Sequence, residues 1–157
     1  GDVVVPLITR LGDAGIIWII LTVLLLIIPK TRKTGVIMMA ALLVDVLLCN
    51  VLIKNLVART RPFDVNTAVQ LLIEKPQDYS FPSGHTAASF ASVTALYLAG
   101  EKKMWKAALV LAVLIALSRL YLYVHYPTDI IGGVIFGSLS GYLGYKIVEW
   151  IQKKKIK

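Results

Sequence analysis

The chain has 157 residues, of which 57% are hydrophobic and 17% charged, with a mean hydropathy of +0.75. A soluble domain carries roughly 25% charged and 45–50% apolar residues, so an ordinary water-soluble globule is excluded. The net charge of +8 would suit a nucleic-acid partner only as a clustered basic face, and the basic residues are instead dispersed at the ends of apolar runs.

Five such runs follow one another, at 14–29, 35–53, 84–99, 106–123 and 130–151. Each approaches the ~20 residues that a helix needs to cross the hydrocarbon layer. Lipid cannot satisfy backbone polar groups, and runs of this length without period-2 alternation do not form a barrel. The expected fold is therefore all-α: a polytopic transmembrane helical bundle with five clear spans, forming a single membrane-embedded domain over 1–157. Residues 3–11 read either as an interfacial segment or as part of a sixth span. No cleavable signal peptide is expected, because the start lacks a charged n-region and a small-residue cleavage site. Cys49, the sole cysteine, lies within an apolar run and reads as a packing residue.

Along the chain the connections alternate in charge. The first (Lys30, Arg32, Lys33), the third (Lys102, Lys103, Lys106) and the segment from Lys146 to Lys157 hold eleven basic residues against Glu101 and Glu149, a balance of +9. The opposite connections balance to zero, and Asp45 inside the second run supplies the remaining −1. This asymmetry predicts a multi-pass cell-membrane protein with a cytoplasmic C-terminus and with the connections around 54–79 and 123–129 facing outward. Trp105 and Trp150 would mark the inner interface, and Tyr121, Tyr123 and Tyr126 the outer one. In the last run Gly133, Gly137 and Gly141 recur every four residues, a spacing that lets helices approach closely in lipid, within one chain or across a homodimer seam. The long connection contains "TAVQLLIEK", 67–75, which suits a short surface helix or a plain loop. Asp45 is a functional candidate by its position alone, with no partner readable.

The polar oddities gather at the outer ends of the runs. "KNLVARTRP" places Lys54 and Arg61 seven residues apart, which two helical turns would put on one face. "SFPSGHTAASF" opens the third run with Ser83, Gly84 and His85, and a helix N-terminus of this kind binds phosphate. "SRLYLYVHYPTD" supplies Arg119, His125 and Asp129, with Pro127 suited to opening the fifth helix. Cations around a phosphoryl group, two histidines for attack and proton transfer, and a carboxylate to orient one of them make a phosphoryl-transfer set.

These three segments resemble the signature of the type 2 phosphatidic acid phosphatases, or lipid phosphate phosphatases: Lys-x6-Arg-Pro, Pro-Ser-Gly-His and Ser-Arg-x5-His-x3-Asp. The resemblance implies that His125 is the nucleophile, Asp129 its orienting partner and His85 the general acid. It implies that Lys54, Arg61, Ser83, Gly84 and Arg119 hold the phosphate, with no metal or cofactor. The expected partners are a lipid phosphate substrate and membrane lipids, not nucleic acid. Among substrates it favours undecaprenyl diphosphate, with phosphatidylglycerol phosphate and phosphatidic acid as alternatives. A vanadate-dependent haloperoxidase-like enzyme and a non-catalytic phospholipid binder or transporter are the rival classes. The apolar runs disfavour the first, and the complete histidine pair disfavours the second.

Overall fold

The computed structural model describes residues 1–11 and 13–157. Among the described residues there are helices and no strands. An amphipathic helix α1 (Val4–Leu11) leads through a tight turn (Asp13–Gly15) into α2 (Ile16–Ile27). Pro29 cannot continue α2, and a short turn (Pro29–Thr31) reverses the chain into α3 (Arg32–Asp45). α3 runs on through a π-helical stretch (Val46–Ile53) into α4 (Lys54–Val57), where Ala58 takes a left-handed conformation at φ 49° and ends it. After the short α5 (Pro62–Val65) come α6 (Gly84–Leu98), α7 (Met104–Tyr121) and α8 (Pro127–Ile156). The segment 67–75 is irregular, so the plain-loop alternative describes it.

The apolar runs fall on α2, on α3 with its extension, and on α6, α7 and α8. Among the described residues, three helical stretches are long and apolar enough to cross a membrane: Pro29–Val65, Met104–Tyr121 and Pro127–Ile156. α2 is apolar but has 12 residues, and α6 has 15, rich in Ala, Ser and Thr, so length and composition alone do not mark these two as spans. The eight residues of α1 are too few to span.

α6 is the central helix, packing most extensively on α8 and also on α7 and α3. Its small residues explain why. A Cβ added at Gly137 would stand 2.3 Å from the Ala87 carbonyl oxygen, and one at Gly141 would stand 2.7 Å from that of Ala91. Gly144 makes the same close approach to Ala41 of α3, at 2.4 Å. The glycine stripe thus serves packing within one chain, the arrangement that replaces hydrophobic driving force between helices in lipid. Two buried hydroxyls find partners within their own helices. Ser92 donates to the Ala88 carbonyl at 2.9 Å and Ser140 to that of Phe136 at 2.8 Å. Outward, α2 exposes Ile16, Ile19, Ile20, Val23, Leu24 and Ile27, an apolar surface suited to lipid.

The two ends of the bundle differ. At one, Lys33 pairs with Glu149 at 3.1 Å and Thr34 donates to Glu101 at 2.9 Å, joining the start of α3 to α8 and to the third connection. The other end holds the terminus of α4, the start of α6, the end of α7 and the start of α8.

Candidate active site

Four chain turns converge at that second end, each for a local reason. Ser83 caps α6: its Oγ accepts from the Thr86 amide at 3.4 Å and from Thr86 Oγ1 at 3.0 Å. Pro127 opens α8, and Asp129 in its first turn accepts the Tyr126 amide at 2.8 Å. Arg61 is extended, as the residue before a proline must be, and is followed by Pro62 at the start of α5. The π-helical stretch ends at Lys54.

Together they wall a cavity of about 580 Å³ lined by Lys54, Arg61, Gly84, His85, Arg119 and His125. That size is typical of a small-molecule site. The two histidines and three cations predicted from the motifs therefore share one space. Ser83 and Asp129 are fully buried behind its wall. The lining also includes Ile19, Leu42, Asp45, Val46 and Ala88, with Ile19 and Val46 about half exposed, so the polar cluster adjoins an apolar side that reaches the outer surface of the bundle. Asp45 lies there, 2% exposed, with Oδ1 unbonded, one turn before the buried Cys49.

Lys54 and Arg61 converge, but not along one helix face as the spacing predicts. The helix stops at Val57, the left-handed Ala58 turns the chain, and Arg61 comes back from an extended segment. Both cations are buried, and both bind Asp78: the Lys54 ammonium pairs with Oδ2, and Arg61 Nη2 donates to Oδ1 at 2.7 Å. Desolvation alone would raise the Asp78 carboxyl; the hydrogen bond and charge of Lys54, joined by Arg61, outweigh it and hold the group down at about 2. A Cβ on Gly84 would lie 3.6 Å from Lys54 Nζ and 3.4 Å from Asn50 Oδ1, so the ammonium sits over the first residue of α6.

His125 is nearly enclosed. Its Nδ1 donates to Asp129 Oδ2 at 3.3 Å, which leaves Nε2 as the ring's lone-pair nitrogen, facing Arg61 Nη1 at 3.2 Å. Burial is the chief reason its pKa falls to about 4; the Asp129 bond opposes this, and Arg61 and Arg119 reinforce it. The ring is thus neutral at neutral pH. Asp129 is bonded on every side. Besides His125 and the Tyr126 amide it accepts from Ser80 Oγ, and Oδ1 accepts from Arg59 Nη1 at 2.7 Å. Arg59 also stacks 5.0 Å from the Phe81 ring centroid. On the far wall His85 Nε2 lies 2.7 Å from Asp13 Oδ1.

Asp13, Arg59, Asp78 and Ser80 are the residues sequence reasoning missed. Arg59 sat inside a recognised motif, two positions before Arg61, and that proximity was a usable signal. Asp13 and Asp78 meet their partners across 72 and 24 residues, and no spacing announces them. Among the described residues no group of three or more His, Cys, Asp or Glu is placed to hold a metal ion.

The family model described as the PAP2 superfamily matches residues 34–153. An undecaprenyl-diphosphatase of Sulfolobus acidocaldarius is 38% identical over 140 residues, covering 89% of this chain and 68% of that one. The crystal structure of Aquifex aeolicus LpxE superposes with a TM-score of 0.76 at 31% identity, covering 92% of this chain and 85% of that one. That of the transmembrane PAP2-type phosphatidylglycerolphosphate phosphatase from Bacillus subtilis gives 0.72 at 31% identity, covering 96% and 77%.

Proposed function

The chain belongs to the PAP2 superfamily and is a membrane phosphatase, and on that premise we propose that it removes the terminal phosphate of a lipid diphosphate through a phosphohistidine. The preferred substrate is undecaprenyl diphosphate. The observation that carries this reading is the shared cavity: two histidines and three buried cations line one part of it, and the apolar side chains of Ile19, Leu42, Val46 and Ala88 line another, where the lipid would lie.

In this reading His125 Nε2 attacks phosphorus, forming an N–P bond as the P–O bond to the lipid monophosphate breaks. Asp129 holds the ring by Nδ1 and stabilises the positive charge it gains. His85 gives its proton to the departing oxygen. It then takes one from the water that attacks the phosphohistidine, so that phosphate leaves and both rings return to their starting state. Lys54, Arg61 and Arg119, with the Gly84 end of α6, neutralise the equatorial oxygens where charge accumulates. Ser83 contributes through the cap that sets this helix end. None of these roles requires a metal.

The five-span bundle, in which α2 and α6 also cross the membrane, is part of the same proposal, as are the outward cavity and the cytoplasmic C-terminus. The end-to-end charge asymmetry supports that orientation. The deciding experiment is phosphate release in mixed micelles from undecaprenyl diphosphate, phosphatidylglycerol phosphate and phosphatidic acid. The highest kcat/KM is expected for the undecaprenyl diphosphate. A higher value for either of the others would reassign the substrate.

A further inference from the structure

Among the contacts that reach the cavity from outside the three motifs is that of Asp13 with His85. Oδ1 of the carboxylate stands 2.7 Å from the imidazole Nε2. The fold holds this pair from both directions. Gly15 adopts φ +72°, a left-handed turn that redirects the chain from Asp13–Gly15 into α2. A Cβ at Gly15 would meet that of Ala88 at 3.9 Å, so the turn lies against α6. Further on, Trp18, 2% exposed, donates from Nε1 to Ser89 Oγ at 3.0 Å, and Ser89 Oγ donates to the His85 carbonyl at 2.6 Å. Residues 13 and 18 thus grip α6 at 85 and 89, one helical turn apart. Before the turn, α1 is tied to the end of α7: Tyr121 Oη donates to Asp2 Oδ1 at 2.5 Å, and Val5 packs on Phe63, Leu122 and Val124. A carboxylate so framed is built into the site.

We propose that Asp13 is the positioning residue for His85: its carboxylate accepts the Nε2 proton, aims the ring into the cavity and stabilises the imidazolium that protonates the leaving oxygen. This rests on the reading of His85 as the leaving-group acid. The chemistry requires such a partner. His85 shares the cavity with Lys54, Arg61 and Arg119, three cations that oppose a protonated ring, while Asp13 is the carboxylate that touches it. When the P–O bond breaks, the Nδ1 proton moves from His85 to the alkoxide or phosphate oxygen, while the Nε2 proton stays on the bond to Asp13, which remains ionised throughout. In the second half-reaction the attacking water restores the Nδ1 proton, and the ring held by Asp13 is a cation again.

The test compares Asp13→Asn with the unmodified full chain on two esters, phosphatidic acid and p-nitrophenyl phosphate. An alkoxide needs a proton to leave, whereas a nitrophenolate leaves as a stable anion. General acid catalysis gives about 10²–10⁴-fold, so losing the acid's partner should lower kcat on phosphatidic acid by about 10- to 100-fold and on the aryl ester by less than about 3-fold. Asp13→Glu, which retains the carboxylate, should recover most of the lost turnover. Equal loss on both esters, or no loss on either, overturns the proposal. His85→Gln run alongside separates the two levels of inference. If His85→Gln shows the ester-dependent loss and Asp13→Asn does not, the positioning role alone falls. If His85→Gln loses both esters equally, the acid assignment falls with it.

Discussion

Two aspartate–histidine pairs face one cavity, and they are built in opposite ways. His125 and Asp129 are four residues apart, sit in and just beyond a short connection, and are 1% and 0% exposed. His85 and Asp13 are 72 residues apart, come from different elements, and are 18% and 48% exposed. The enclosed pair is held by Arg59, Ser80 and the Tyr126 amide, whereas the open pair relies on one turn docked against α6. The difference suits the two tasks proposed for them. A ring that forms a bond to phosphorus must be placed to within tenths of an ångström and kept neutral, which burial and an over-determined carboxylate achieve. A ring that exchanges protons with a leaving group and then with water needs contact with solvent.

Substitutions can break this contrast from its strongest end. His125→Ala should reduce phosphate release by roughly 10⁶-fold while inorganic phosphate still binds, as measured by turnover and by phosphate protection against heat, because the cations remain. Turnover at the unmodified rate would refute the nucleophile assignment. Asp129→Asn keeps the shape but removes the charge that favours the Nδ1-protonated ring, and the expected loss in kcat is about 10³–10⁴-fold. A smaller loss than that from Asp13→Asn would invert the ranking of the two pairs. Arg119→Lys replaces a planar fork with a point charge and should cost about 10²–10³-fold in kcat/KM, the scale of one lost oxyanion donor.

Gentler probes sharpen the same picture. In Asp78→Asn, Lys54 and Arg61 lose the half-exposed carboxylate that they bind, so inorganic phosphate should inhibit more strongly, with an inhibition constant lower by about tenfold or less. An unchanged constant would mean that Asp78 and phosphate do not compete. The smallest effect is that of pH. His125 must be neutral to attack, so kcat/KM should fall on the acid side as pH drops through about 4, while the proton that His85 must carry makes it fall again on the alkaline side. His125 also bears on stability. Its folded pKa lies below the reference 6.5, so the unfolded chain binds more protons in between. Stability from this ring is complete above about 6.5 and declines as pH falls to about 4. An acid limb of activity near 6.5 would show that the ring is not held neutral by burial.

The enclosed pair was legible because its parts are close in sequence: His125, Pro127 and Asp129 fall within five residues, and helix geometry brings positions 125 and 129 together. The glycine stripe and the capped start of α6 were legible for the same local reason. The open pair was not, since nothing in "RLGDAG" states that the turn packs on α6; the left-handed Gly15 and the Trp18–Ser89 bond decide it. The seven-residue spacing of Lys54 and Arg61 implies convergence along one helix, yet the helix ends between them at Ala58. Spacing captured the outcome, and a turn that no periodicity encodes produced it. Three stretches carry the length and hydropathy of spans, while α6 trades apolar bulk for small residues because helices, not lipid, surround it.

The seam between α6 and α8 carries a consequence for opening of the site. With Gly137 set against the Ala87 carbonyl and Gly133 against Thr86 and Ser83, the two helix starts have no side-chain slack between them. They behave as a single solid block, and Asp129 and His85 ride on it. Amides along that block should be the slowest to exchange with deuterium in the whole molecule. Breathing that admits or releases an amphiphile then belongs to the opposite wall, where α2, α3 and the π-helical stretch meet the cavity through Ile19, Leu42 and Val46.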